Sequence, residues 1–109
     1  MTQSSGPATR IILRLKGNLR KLAEGKPCQI RLVGICNRRD DTTVLCHRRG
    51  SATGGGLGLK PHDIFGAWGC SACHAYVDTH HDDATQVAFD EGVFRTQQKY
   101  LDMGVLVYV

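Results

Sequence analysis

The sequence predicts a small α+β domain: a zinc-stabilised ββα unit with one additional helix at the C-terminal end. Three observations predict it. Cysteines occur as two pairs beside turn-forming residues, Cys28 with Cys36 and Cys70 with Cys73. Two short apolar stretches, residues 43–48 and 64–68, flank a glycine-rich segment, and the second runs directly into Gly69-Cys70-Ser71-Ala72-Cys73-His74 and a helical pattern. The chain is also short. At 109 residues apolar burial alone leaves a domain marginal, and a structural zinc worth about 10–16 kcal/mol is comparable to the whole stability of such a domain.

Residues 1–17 read as an N-terminal extension, partly disordered, ahead of a single domain over residues 18–109. Within the extension, residues 10–16 alternate imperfectly between basic and apolar side chains and form a possible strand. Residues 18–24 read as a short basic helix stopped by Gly25 and Pro27. Residues 28–36 alternate Ile30 and Leu32 with Gln29 and Arg31 and then turn at Gly34, which predicts a short strand and its turn bracketed by two thiols. That is the shape of a zinc knuckle. Spacing of the Cys70–Cys73 pair is the common two-residue one, and the wider Cys28–Cys36 gap gains weight from it, so the four thiols form one candidate tetrahedral site.

Residues 37–42 are a polar turn and residues 43–48 a strand carrying Cys46, a candidate core residue, and His47. Residues 50–60 hold five glycines, which predicts a mobile loop; no GK[ST] closes it, so it is not a phosphate loop of the Walker type. A second strand, then a helix from Cys70 to about Asp78, completes the ββα unit. His74 and Asp78, at i and i+4, share one face of that helix and suit a second metal. His80 and His81 invite a metal-site reading, but with no partner ligand placed for them they read as a surface turn. Residues 84–103 read as a further helix with Val87, Ala88, Val93 or Phe94, Gln97, Tyr100 and Leu101 near helical spacing, ended by Gly104; residues 105–109 read as a strand that pairs with residues 10–16.

Charge is polarised along the chain. Residues 1–60 carry twelve Lys/Arg against three acids, and residues 61–109 two against seven, which gives +9 and −5 within the net +4. A basic half suits a polyanion such as DNA, because each neutralised phosphate releases counterions. An odd cysteine count and a polar N-terminus without the pattern of a secretory leader predict the reducing cytoplasm, where thiols serve metals rather than disulfides. No apolar run approaches the roughly 20 residues of a spanning helix.

These residues resemble a known family. The set Leu19-Arg20-Lys21, Cys28-Gln29-x-Arg31, Gly34-x-Cys36-Asn37, Val44-Leu45-x-His47, Lys60-Pro61-x-Asp63 and Cys70-Ser71-Ala72-Cys73-His74-x-x-x-Asp78 resembles the YbcO-like nucleases of phages and prophages. These in turn are similar to the HNH (ββα-metal, His-Me finger) endonucleases, with their treble-clef-like fold. The resemblance implies metal-dependent hydrolysis of DNA phosphodiester bonds. It assigns His47 as general base, Asp63 as the residue that holds it where the family uses an asparagine, and His74 with Asp78 as ligands of a catalytic divalent cation such as Mg2+. Structural Zn2+ falls to Cys28, Cys36, Cys70 and Cys73. Arg38, Arg39, Arg48, Arg49 and Lys60 become candidate phosphate contacts, and recombination proteins of host or phage candidate partners. Cys46 stands where the family places an extra ligand beside the base. Two rival readings stay open: a catalytically silent, zinc-stabilised DNA-binding or recombination-accessory module, and a c-type haem protein using Cys70-x-x-Cys73-His74 with Met103 as sixth ligand.

Overall fold

A computed structural model describes residues 10–15, 18–50 and 62–108 of the 109-residue chain. In chain order the elements are β1 (Ile11–Leu13), α1 (Leu19–Ala23), β2 (Val44–His47), β3 (Gly66–Gly69), α2 (Ser71–Thr79), α3 (Asp83–Asp102) and β4 (Leu106–Tyr108), with single 3₁₀ turns at Asp40–Thr42 and Asp63–Phe65. Among the described residues there are two antiparallel two-stranded sheets, β1 with β4 and β2 with β3. Pairing of Ile11 with Tyr108 and Leu13 with Leu106 joins the expected early strand to the expected terminal one. The glycine-rich loop, apart from Gly50, and Lys60 lie outside the described residues.

The β2–β3 hairpin is the partition of the molecule. Leu45 opposes Trp68, and Cys46 opposes Ala67; successive strand residues point to opposite faces, so the two pairs enter different cores. Leu45 and Trp68 pack with Leu19, Ala23, Tyr100, Val105 and Leu106. Cys46 and Ala67 pack with Ile30, Val77, Phe89, Val93 and the buried thiols. Both faces are covered, which explains why β2 carries apolar residues on both. Gly69 is required by this closeness: a Cβ there would fall 2.6 Å from Cys46 Sγ and 2.7 Å from Ile30 Cδ1.

Helix α1 starts where Asn18 Oδ1 accepts from Lys21 N at 2.8 Å, and buries Leu19 and Ala23, one turn apart. Helix α3 is capped by Asp82, whose carboxylate accepts from Thr85 N (3.2 Å) and Thr85 Oγ1 (2.8 Å). It ends in a Schellman arrangement, with Gly104 at φ 75° and Val105 N donating to Tyr100 O at 2.8 Å. Among the described residues no helix is long and apolar enough to cross a membrane.

Two expectations are corrected. Residues 28–36 contain no strand: Arg31 has φ 56° and Gly34 φ 76°, and these left-handed residues curl the chain before a ladder can extend. Ile35 N and Cys36 N both donate to Leu32 O, closing a compact turn. The buried face of α3 is only in part the one that apolar spacing picks out: Val93 and Tyr100 are buried as expected, and Leu101 packs against the Trp68 core. Val87 and Phe94 are exposed, while Thr85, Phe89, Gly92, Val93, Thr96 and Tyr100 face inward. Close approach is the reason. A Cβ at Gly92 would lie 3.0 Å from Ile30 Cα, and Thr96 Oγ1 accepts from Trp68 N at 3.0 Å, so small and hydroxylic residues carry the contact.

Candidate functional site

The four expected thiols converge. Sγ atoms of Cys28, Cys36, Cys70 and Cys73 all lie within 4.8 Å of one another, and Cys36 to Cys70 is 3.8 Å. A tetrahedral zinc with bonds of about 2.3 Å requires sulfur separations of about 3.8 Å, so the donor set fits the ion. Local structure brings them there. The knuckle presents Cys28 and Cys36, anchored by Gln29 N donating to Trp68 O at 2.7 Å and by the Arg95 guanidinium donating to Gln29 O (2.9 Å) and Ile30 O (3.3 Å). The N-terminus of α2 presents Cys70, its cap, and Cys73.

Backbone N–H groups face the cluster. Cys70 Sγ accepts from Asn37 N and Cys73 N, both at 3.4 Å, at the positive end of a helix. A hydrogen bond from the Cys73 thiol pulls the Cys28 pKa down, and the same bond, with burial, pushes Cys73 up; burial raises Cys36. Bare of metal, the cluster thus shares protons, and binding an ion would release them. Cys46 stands apart from the cluster; burial pushes its thiol well above the ordinary range, as suits a core residue. With their sulfurs in this cluster, Cys70 and Cys73 are committed away from haem attachment.

At the other end of β2, His47 Nε2 lies 2.7 Å from Asp63 Oδ1. An ionised carboxylate cannot donate, so this contact puts a proton on Nε2 and leaves Nδ1 on the other side of the ring. Arg20 Nε stands 3.8 Å from the same carboxylate oxygen, completing a His47–Asp63–Arg20 line. On α2, His74 Nε2 is 3.3 Å from Asp78 Oδ2. A small cleft of about 50 Å³ is lined by His47, Arg48, Arg49, Asp78, His81 and Phe89, among others. From the sequence His81 reads as part of a surface turn and Arg20 as an exposed basic residue; the structure places His81 in the cleft lining and Arg20 beside Asp63. Both sit beside residues far away in the chain, and only a short basic helix and a His-His pair hinted at them.

The candidate phosphate contacts divide. Arg48 donates to Asp90 Oδ1 at 2.6 Å and lies over the Phe89 ring, so it braces β2 against α3. Arg39 pairs with Asp41 at 3.0 Å on the surface. Arg38, at φ 57°, and Arg49 are exposed.

Among known proteins, residues 17–105 match the family described as "Putative nuclease YbcO". A protein of that description from Escherichia coli (strain K12) is 44% identical over 94 residues, covering 82% of this chain and 96% of its own length. A counterpart from Enterobacteria phage 82 matches to the same extent. A solved structure of a "putative bacteriophage protein" from Escherichia coli str. K-12 substr. MG1655 superposes with a TM-score of 0.64 at 40% identity, covering 79% of this chain and 99% of the other. With a four-thiol centre, an antiparallel hairpin leading into a helix, and matches that span most of its length, the chain belongs to the YbcO family.

Proposed function

We propose that this protein is a metal-dependent endonuclease of phage or prophage origin that hydrolyses DNA phosphodiester bonds with an HNH-type site. The observation that carries the reading is the 2.7 Å His47–Asp63 pair at the end of a hairpin whose following helix bears Asp78, in a family described as nucleases. Nδ1 of His47 would take the proton of the attacking water, the role that a ring with its other nitrogen committed is built for. Asp63 holds the tautomer and offsets the positive charge that the ring acquires on protonation. Asp78, with His74 beside it, would hold the divalent cation. Bound there, such an ion supplies charge neutralisation at the scissile phosphate. Arg38, Arg49 and, beyond the described residues, Lys60 would meet neighbouring phosphates without reading sequence.

Four sulfurs at tetrahedral spacing support zinc in a structural part, since a closed set of protein ligands leaves no open position for substrate. A second reading, the silent DNA-binding module, is favoured by one observation: among the described residues, the thiols form the single compact group of three or more ligands. The two separate in one experiment. Zinc-loaded protein is incubated with plasmid and Mg2+ or Mn2+, beside His47→Ala. Cutting should fall by about 100-fold or more in the variant, the usual share of a general base. Undiminished cutting by His47→Ala removes that residue from the mechanism, and no cutting with any ion leaves the silent module.

A further inference from the structure

We infer that the divalent cation at this site is held by Asp78 together with His81, and that His74 acts behind Asp78 as a positioning residue. The inference rests on the nuclease reading for its purpose, though not for its geometry.

The argument starts from the direction of α2. The helix begins next to Gly69, which pairs with Val44 at the start of β2, and its far end lines the cleft with His47 and Arg48 at the end of β2. It therefore runs alongside β2 in the same sense. From Val44 to His47 the strand advances about 10 Å. From Ser71 to Asp78 the helix advances about 10.5 Å, which places Asp78 level with His47, whereas His74 stands about 6 Å short, nearer the thiols.

The cleft agrees with that count. Asp78 and His81 line it with His47, Arg48 and Arg49, and His74 is not among its lining residues. His74 instead lies with Nε2 3.3 Å from Asp78 Oδ2, the kind of contact by which an outer residue fixes a ligating carboxylate.

Of the two adjacent histidines, only His81 is available to the cleft. His80 caps α2 in an extended conformation, stacks on the Tyr76 ring at 3.7 Å, and its Nδ1 donates to Tyr76 O at 3.0 Å. The next residue, His81, lines the cleft with Asp78. One carboxylate and one imidazole leave most of a cation's coordination to water and phosphate oxygens, as at sites where a substrate completes the shell. An imidazole in the set favours Mn2+ or a later transition ion over Mg2+.

The test uses the zinc-loaded full chain and Mn2+ alone, without DNA. Free Mn2+ is followed by its electron paramagnetic resonance signal, and the bound ion by electron spin echo modulation from nitrogen. Wild type should bind Mn2+ with nitrogen modulation; His81→Ala and His81→Gln should lose the modulation and bind about tenfold or more weakly. His74→Ala should keep the modulation even where affinity drops. Modulation that survives in both His81 variants, or vanishes in His74→Ala, overturns the inference, as does wild type that binds Mn2+ without any nitrogen signal or not at all. Zinc content of each variant confirms its fold. Wild type that shows the His81 signal yet cuts no DNA would sink the nuclease reading and leave the cation site standing.

Discussion

Zinc removal should unfold the knuckle first, and the magnitude follows from how little else holds it. Residues 26–39 contain no regular element, and ordering a backbone of that length costs roughly 15–25 kcal/mol at about 1–2 kcal/mol per residue. Opposing this are the two Arg95 bonds, Gln29 N to Trp68 O, Asn37 N to Cys70 Sγ and Asn37 Nδ2 to Ser71 Oγ, each worth about 1 kcal/mol net. Burial of Ile30, 1% exposed, adds about 2–3 kcal/mol. These leave a shortfall of about 7–18 kcal/mol, a range that brackets an apparent zinc contribution of about 10–16 kcal/mol. Titration with a chelator, followed by a colorimetric zinc count and hydrogen-exchange mass spectrometry, should show one zinc per chain and near-complete loss of protection over residues 26–39 on its release. Cys36→Ser should behave like chelated wild type, and Cys46→Ala should keep its zinc. A metal-free protein whose knuckle amides stay protected would refute the reasoning, because the hydrogen bonds and Ile30 would then suffice.

Two further predictions concern packing and pH. Gly69→Ala must displace Cys46 Sγ, a short side chain without room to swing, and should destabilise by about 1–3 kcal/mol in denaturant unfolding with zinc present; Gly69→Ala with Cys46→Ala should be non-additive, and an additive pair would show that the two do not meet. Thr85 holds the Asp82 carboxyl below its ordinary pKa, so this cap stabilises the fold above about pH 4 and the contribution is lost as pH falls through the lowered value. Asp82→Asn, a cap without a charge, should therefore show a shallower fall in Tm below pH 4 than wild type, and parallel curves would exclude Asp82 from the acid response.

Legibility differed from element to element, for physical reasons. The thiol set could be read from spacing because chemistry fixes its ligands, and the hairpin from two apolar runs because both of its faces are buried. The α3 face was legible in part. Apolar spacing selects Val93 and Tyr100, which are buried, but also Val87, which is exposed, and it passes over the small Gly92 and the hydroxyl of Thr96 that meet the knuckle and β3. Alternation in residues 28–32 suggested a strand, but a pattern of side chains says nothing of the left-handed Arg31 that curls the segment into a ligand-bearing turn. Asp63 was legible as a partner for His47 only through the family's need for one. The His80-His81 pair was legible only as a surface turn, because the place of His81 in the cleft depends on where α2 ends relative to β2, a relation between residues more than thirty apart.

That relation also accounts for where the candidate site lies. A sheet of two strands is too narrow to separate its faces at its ends, so the end of β2 is a place where side chains from both cores can meet one ligand. Asp63 and Arg20 come from the side of Leu19, Trp68 and Tyr100; Val77, Asp78 and Phe89 come from the side of the thiols. Cys46, one residue before His47, is locked into the thiol core, and Arg48, one residue after, is locked to Asp90. Held on both sides, His47 has little freedom to drift, so the ring's aim depends on the zinc core and on α3 at once. Loss of either anchor should disturb the His47–Asp63 bond without touching either residue, so on the proposed nuclease reading the Cys36→Ser protein should cut plasmid less than wild type although His47 and Asp78 are intact.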